Sequence, residues 1–258
     1  FGWGAPQKYN DVLRPFYDSL YRANIETDFI DPSNFADKAA NYKMIVIPAL
    51  YSASDTLLEA ISDYVENGGH IVATFKHGFT DENVKVRPSV QPGNMTDIFG
   101  IRYSQFVHPE RASLNTTIMP EGIAAEPLKW WMELVTADTA DVLATYEHPV
   151  WGDYAAITRN QAGKGTATYI ATMPSDNQID ALLRQAANDA GVTLSDNQFP
   201  VIEKKAVNQA GNTLHFVFNY SEQLSARSVC SASQTWSTKC KPLKKSRARP
   251  AYRRRRGP

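Results

Sequence analysis

The chain has 258 residues, of which 43% are hydrophobic, so it can bury one large core with a smaller module beside it. Its formal net charge of zero hides an uneven distribution, because residues 1–222 hold all 27 acids but only 16 of the 27 bases. This acidic body argues against nucleic acid as a partner, since phosphate binding needs a concentrated basic surface.

The cysteines and the hydropathy pattern exclude further classes. Cys230 and Cys240 both lie near the C-terminus, so residues 1–222 cannot contain a cysteine nucleophile, a thiolate metal site or a disulfide. No apolar run is long enough to cross a bilayer, and the first four residues do not resemble a signal peptide. We therefore expect a cytoplasmic protein without a membrane partner.

The first fifty residues predict one helix and two strands. Residues 9–24 carry apolar side chains every three or four positions, and Pro15 marks either a kink or the start of this helix. Residues 25–30 (IETDFI) alternate apolar and polar side chains, which predicts a strand with one buried face. Residues 43–50 form a continuous apolar run, which predicts a strand buried on both faces.

A second helix leads directly into a third strand. Ser54 is the expected N-cap of a helix over residues 54–69, which ends at the left-handed stop of Gly68 and Gly69. Residues 70–75 (HIVATF) again have the pattern of a buried strand. Helices alternating with such strands are typical of a parallel sheet covered on both faces. The first half therefore predicts a doubly wound, flavodoxin-like α/β fold.

After Gly100 the pattern changes to short strands and turns. Asp176 is the expected cap of a last helix that ends at Gly191. One hairpin is predicted around the loop at residues 161–165 and a second around residues 210–212. Short strands are predicted at residues 101–107, 141–147 and 153–160.

Residues 223–258 form a tail of different composition. They contain 11 bases and no acid, with four consecutive arginines at residues 253–256. Such a segment buries too little apolar surface to fold in isolation, so we predict disorder. Because the change is abrupt and falls within a predicted β module, our preferred hypothesis is translation out of frame after Glu222. The alternative is an arm that binds nucleic acid or an anionic surface.

The strand-end turns carry no recognisable nucleophile. Related architectures place a cysteine on the sharp turn after a buried strand, and the turns at residues 48–51 and 75–78 have none. Ser52 or Ser54 could pair with His77, but a serine before a helix is far more often a cap. His77 itself is interpreted as a polar loop residue.

The other motifs have structural interpretations. Gly68 and Gly69 precede a strand, so they cannot form a phosphate loop. The adjacent carboxylates of Asp81 and Glu82 point to opposite sides of an extended chain, so one of them, or Asn83, is expected to fix a loop. The remaining histidines lack the spacing of a metal site: His70, His108, His148 and His215. The run Trp130, Trp131 and Met132 favours core packing over an interface or sugar-stacking role.

Three segments resemble, in order and spacing, the middle domain of glycoside hydrolase family 42 β-galactosidases. They are residues 15–31, 42–55 and 57–86, with VIPALY (46–51), YVENGG (64–69) and HGFTDEN (77–83) as their most specific pieces. The resemblance covers residues 9–193, and residues 199–222 resemble the start of that family's small C-terminal β domain.

The resemblance implies a parent enzyme of three parts: a catalytic TIM barrel, a trimerisation domain like class I glutamine amidotransferases, and a small β domain. The two catalytic glutamates of that family lie on the barrel and have no counterpart here. We therefore expect this chain to hold no catalytic residue, cofactor or metal and to be inactive alone. The implied domains are residues 1–195 for trimerisation, residues 196–222 for a partial β domain, and residues 223–258 for the tail.

Two hypotheses of different classes follow. In the first, the chain is a fragment of a β-galactosidase whose retained part mediates assembly, as a homotrimer or with the catalytic barrel. In the alternative, it is a stand-alone module that binds a carbohydrate or metabolite at the carboxyl edge of its sheet. An independent hydrolase would need a nucleophile that the sequence does not show, and the fold alone cannot choose between these hypotheses.

Overall fold

The computed structural model describes residues 8–116, 125–195 and 197–221. The predicted tail therefore lies outside the described residues. The helices are α1 (Tyr9–Arg22), α2 (Phe35–Lys38), α3 (Asp55–Glu66), α4 (Thr96–Phe99) and α5 (Asp176–Asp189). The strands are β1 (Met44–Ile47), β2 (His70–Thr74), β3 (Ile101–Arg102), β4 (Phe106–Val107), β5 (Ser113–Thr116), β6 (Lys129–Glu133), β7 (Thr136–Ala137), β8 (Asp141–Glu147), β9 (Ala155–Ala162), β10 (Gly165–Ile170), β11 (Thr172–Met173), β12 (Val201–Val207) and β13 (Thr213–Asn219).

A six-stranded mixed sheet organises the fold, with the strand order β1-β2-β10-β9-β8-β5. Strands β1, β2 and β10 are parallel, whereas β9, β8 and β5 pair antiparallel. The expected parallel sheet is therefore only half of the observed one, because the β9–β10 hairpin reverses the chain within the sheet. The smaller sheets are β11-β6-β4, β12-β13 and β3-β7.

Two hydrophobic cores lie on opposite faces of the sheet. Side chains alternate between the faces of a strand, so neighbouring residues of β1 and β2 enter different cores. Val46 and Val72 pack with the apolar faces of α1 and α5. Ile45 and Ile71 pack with α2, α3 and α4. The prediction of a strand buried on both faces is confirmed for β2, whereas all four residues of β1 are only half-buried.

The helix signals in the first half are confirmed with one refinement. Pro15 lies inside α1, which already begins at Tyr9. The Ser54 hydroxyl accepts a hydrogen bond from Leu57 N (3.2 Å), as expected of an N-cap. Gly68 follows α3 with a φ of 111°, a backbone conformation that glycine adopts far more readily than other residues.

The strand predicted at residues 25–30 is absent. Ile25 is buried and Glu26 is exposed, but Phe29 is 69% exposed, so burial follows the alternating pattern only at the start of the segment. A strand, however, needs a hydrogen-bonded neighbour, and no strand in the described part of the chain pairs with this segment. The sheet ends instead at β1, so the prediction was wrong because the pattern alone cannot supply a partner.

Two boundaries in the second half also differ from the prediction. Residues 101–107 form two short strands, β3 and β4, that join different sheets. The cap of α5 is Ser175 rather than Asp176. The Ser175 hydroxyl accepts from Gln178 N (3.3 Å), and Gln178 Oε1 accepts from Ser175 N (3.0 Å), which completes a capping box. Both predicted hairpins are present, as β9–β10 and β12–β13.

Asn24 connects the second hairpin to the end of α1. Its side-chain amide donates to the carbonyl oxygens of Asn197 (2.9 Å) and Val201 (3.0 Å), and its Oδ1 accepts from Glu203 N (2.7 Å). Asn24 has a φ of 58°, which asparagine tolerates better than most residues.

No helix within the described ranges has the length and apolarity that crossing a bilayer would require.

The capping box generates the first prediction. Ser175→Ala should lower the free energy of unfolding by about 1 kcal/mol, because Gln178 N then loses its acceptor. Asp176→Ala is the matched control and should cost less than about 0.5 kcal/mol, since an exposed first-turn acid contributes only weakly. Urea denaturation of the two variants checks this; a larger loss for Asp176→Ala would restore Asp176 as the cap.

Candidate functional site

The two strand-end turns have the sharp geometry expected of a nucleophile turn. Ala49, after β1, has a φ of 42°, and Lys76, after β2, has a φ of 60°. Such values are uncommon for residues other than glycine and often occur at functional sites. Neither residue is a hydroxyl or thiol nucleophile, so the turns keep the backbone shape without that chemistry.

A buried carboxylate occupies the space beside the second turn. Glu133 is fully buried, and its Oε1 accepts from the backbone N of Lys76 (2.7 Å) and from the indole Nε1 of Trp131 (3.0 Å). Its Oε2 accepts from the hydroxyl of Tyr169 (2.8 Å). The hydroxyl of Tyr146 donates to the backbone oxygen of Glu133 (2.8 Å). This Glu133 cluster joins β6 to the end of β2 and to β8 and β10.

Burial is the main cause of the pKa shifts in the Glu133 cluster. It raises the pKa of Glu133 to about 7, while the hydrogen bonds from Lys76 N, Tyr169 and Trp131 act in the opposite direction. Burial also raises the pKa of the phenols of Tyr146 and Tyr169, and the nearby Glu133 charge adds to that rise. The side chain of Glu133 therefore changes its protonation state near neutral pH, although it is fully buried.

The side chain of Lys76 covers this site from the turn. Lys76 is only 4% exposed, and its Nζ lies 3.8 Å from the ring centroid of Trp131 and 5.5 Å from that of Tyr51. Burial lowers the pKa of the ammonium group, and the Glu133 charge partly opposes that change. The carboxyl end of β2 is thus filled by the chain's own side chains.

His77 contradicts its interpretation as a polar loop residue. The residue follows the turn, but its side chain is fully buried and meets the ring of Phe99 edge-on at 5.1 Å between centroids. Neither ring nitrogen has a hydrogen-bond partner among the described residues. Burial lowers the pKa of His77 to about 3, so the imidazole is neutral at physiological pH.

The serine and acid candidates form hydrogen bonds that fix a loop or cap a helix. The Ser52 hydroxyl donates to Asp81 O (2.7 Å), and the Ser54 hydroxyl caps α3, so no serine–histidine pair forms with His77. Asp81 Oδ1 accepts from Asn83 N and Lys85 N, both at 2.9 Å, which confirms its expected role in fixing a loop.

The remaining candidates are also accounted for. Trp131 and Met132 are buried in the core, as predicted, while Trp130 is half-buried beside it. His70, His148 and His215 make separate contacts, with Thr166, with the backbone of residues 150–151, and with Glu203, while His108 is exposed. No group of three or more candidate metal ligands occurs in the described ranges.

Comparison with known proteins identifies the family. Residues 4–193 match the sequence family described as the beta-galactosidase trimerisation domain. The chain belongs to this trimerisation domain family. The resemblance to glycoside hydrolase family 42 is thereby confirmed.

Relatives of this trimerisation domain are parts of longer β-galactosidases. The chain is 32% identical over 178 residues to BgaB of a Geobacillus strain, covering 69% of the chain and 26% of that protein. It is 33% identical over 184 residues to LacZ of Heyndrickxia coagulans, covering 71% of the chain and 27% of that protein. The chain thus spans about a quarter of the length of the curated relatives it matches.

Solved structures agree with this assignment. The β-galactosidase of Bacillus circulans sp. alkalophilus superimposes with a TM-score of 0.76 at 25% identity, over 85% of this chain and 33% of that one. A family 42 β-galactosidase of G. stearothermophilus, Gan42B, gives 0.68 at 22% identity, over 78% of this chain and 29% of that one. The mixed α/β fold with its central sheet is therefore that of the family's trimerisation domain.

Glu133 is the residue of this trimerisation domain that the sequence analysis missed. It stands in the run WWMELV as a single acid among apolar side chains. An acid at such a position is seldom buried unless hydrogen-bonded partners meet it. That isolated charge is the one signal in the sequence from which a buried polar cluster could have been inferred.

The Glu133 cluster generates the second prediction. The pKa of Glu133 is raised from its ordinary value of 4.5 to about 7 on folding, so the native state binds the proton more tightly. Its contribution to the free energy of unfolding is complete below about pH 4.5 and falls as pH rises to about 7, by a few kcal/mol in all.

The measurement compares Glu133→Gln with the unaltered chain by urea denaturation from pH 4.5 to pH 8. The stability difference between the two should shrink as pH rises, because only the glutamate loses stability across this range. His77 has the opposite slope, since its lowered pKa costs stability as pH falls below about 6.5. Taking the difference removes that contribution. The control is Glu59→Gln at an exposed position of α3; an equal slope there would contradict the assignment.

Proposed function

We propose that this chain is the subunit-assembly part of a family 42 β-galactosidase and does not hydrolyse galactosides by itself. The observation that carries the proposal is the match of residues 4–193 to the trimerisation domain family. The trimeric state, contact with a catalytic barrel and a cytoplasmic location are parts of this proposal. So is the finer classification of the fold as flavodoxin-like or amidotransferase-like.

The described residues support the lack of activity. Glycoside hydrolysis in most families needs two carboxyl groups that flank the scissile bond, about 5–5.5 Å apart in retaining enzymes. Glu133 is fully buried and bound by three donors, so it cannot reach a sugar. Asp81 is committed to its loop through two backbone amides.

The same geometry argues against the alternative of a binding module at the carboxyl edge of the sheet. Ligands of open α/β sheets enter a crevice beyond the ends of the strands. At the end of β2 that space holds the side chain of Lys76 against Trp131, with Glu133 and Tyr169 behind them. A carbohydrate there would have to displace buried side chains.

We also propose that the chain divides as the sequence indicates, into residues 1–195, residues 196–222 and residues 223–258. The β12–β13 hairpin supports a separate β module, because β12 and β13 pair only with each other among the described strands. Three side chains of β13 and its continuation remain substantially exposed: Phe216, Phe218 and Tyr220. A small module with so little core of its own is incomplete as an independent fold.

The third prediction tests assembly and activity in one preparation. Light scattering should give about three times the 28.7 kDa of one chain, and a chromogenic galactoside should not be turned over. A monomeric mass at all concentrations would contradict assembly by this chain alone. Turnover by the purified chain would overturn the proposal, because residues within 1–222 would then supply an acid and a nucleophile.

A further inference from the structure

Four aromatic rings form a continuous chain beyond the carboxyl end of β2. Tyr51 stacks on Phe79 with 5.6 Å between ring centroids, and Phe79 meets Phe106 edge-on at 6.1 Å. Phe106 in turn stacks on Trp131 at 4.2 Å. These four residues, called the aromatic cage below, come from four separate segments: the residues after β1, the residues after β2, β4 and β6.

The ammonium group of Lys76 connects the two ends of the aromatic cage. Its Nζ lies 3.8 Å from the ring centroid of Trp131 and 5.5 Å from that of Tyr51. The negative face of an aromatic ring attracts a cation within about 6 Å of its centroid. The first and the last ring of the aromatic cage therefore both attract the same charge.

The surroundings of this cation contain two features that select for charge. Burial by itself disfavours the charged form and lowers the pKa of Lys76, whereas the charge of Glu133 acts in the opposite direction. The ring faces add an attraction that an uncharged side chain of the same length would not experience. The aromatic faces and a nearby carboxylate thus both favour an ammonium ion in this place.

The backbone of Lys76 shows that the position does not select lysine for its main chain. A φ of 60° is uncommon for residues with a β-carbon, and glycine or asparagine would adopt it with less strain. The hydrogen bond to Glu133 comes from the backbone N (2.7 Å), which every residue except proline can donate. The contacts of the lysine side chain therefore compensate for an unfavourable backbone conformation.

We propose that the aromatic cage is a binding site for alkylammonium ions and that the side chain of Lys76 is its resident ligand. In this view the charge of Lys76, in addition to its alkyl chain, keeps the carboxyl end of β2 closed. The ligand that fits an emptied cage is a primary alkylammonium ion. The inference does not depend on the proposed function.

The test empties the aromatic cage with Lys76→Gly in the full chain. Glycine suits the left-handed backbone and retains the amide that donates to Glu133. The ion n-butylammonium has the structure of the removed side chain. It should bind this variant about tenfold more tightly than uncharged 1-butanol, because only the ion is attracted by the ring faces. Ligand-observed NMR titrations measure both dissociation constants.

Two controls keep the aromatic cage filled. The unaltered chain retains its own ammonium there, and Lys76→Met occupies the space without a charge while matching the net charge of Lys76→Gly. Neither should show the tenfold preference. If n-butylammonium binds either control as tightly as it binds Lys76→Gly, the ion lies elsewhere on the acidic chain and the proposal is overturned.

A second substitution shows whether the rings recognise the charge. Tyr51→Leu, added to Lys76→Gly, removes one ring face and should weaken n-butylammonium binding about threefold while leaving 1-butanol binding unchanged. Equal affinities for the two ligands in Lys76→Gly, binding of neither, or no effect of Tyr51→Leu would each overturn the proposal. The tenfold preference, confined to the emptied cage and reduced by Tyr51→Leu, would establish it.

The comparison does not rest on one variant. If circular dichroism shows that Lys76→Gly is unfolded, Lys76→Asn replaces it, because asparagine also tolerates a φ near 60°. Its shorter side chain leaves the part of the aromatic cage around the ammonium position open. Ethylammonium and ethanol then take the places of the two longer ligands, with the same preference expected and the same results overturning the proposal.

Discussion

The hydrogen bonds of the buried Glu133 side chain hold the carboxyl ends of the central strands and the small sheet together. A charge without solvent is tolerated only where donors surround it. Here they come from the turn after β2, from β6 and from β10, and Tyr146 of β8 binds the backbone of the same residue. The small sheet that contains β6 is therefore held against the central sheet by polar contacts, and the strand ends are closed.

That closure fills the space beyond the end of β2 with side chains, although the turn after this strand is sharp. The left-handed backbone of Lys76 directs its amide N–H toward Glu133. The strained backbone conformation therefore allows an internal hydrogen bond. Lys76 then lies over Trp131, where a substrate pocket would otherwise open. Here the turn's geometry stabilises packing between sheets.

The sequence predicted the elements whose signals are local. Helical spacing located α1 and α3, Ser54 was recognised as a cap, and both hairpins followed from their turn residues. Strand pairing between distant segments has no such local signal, so the antiparallel half of the sheet was not foreseen. The sequence of residues 25–30 favours a strand, but a strand also requires a neighbouring strand with which to form hydrogen bonds. The sequence predicts Asp176 as the cap of α5, whereas Ser175 is the cap, because these two adjacent residues both suit that position.

The residue types at the turns could be read directly from the sequence. The direction of the His77 side chain could not, because burial of a turn residue depends on tertiary packing. Every strand of the six-stranded sheet lies between Met44 and Ile170, and α5 ends at Asp189. A change of the sequence after Glu222 therefore replaces no residue of the central sheet or of the helices that cover it.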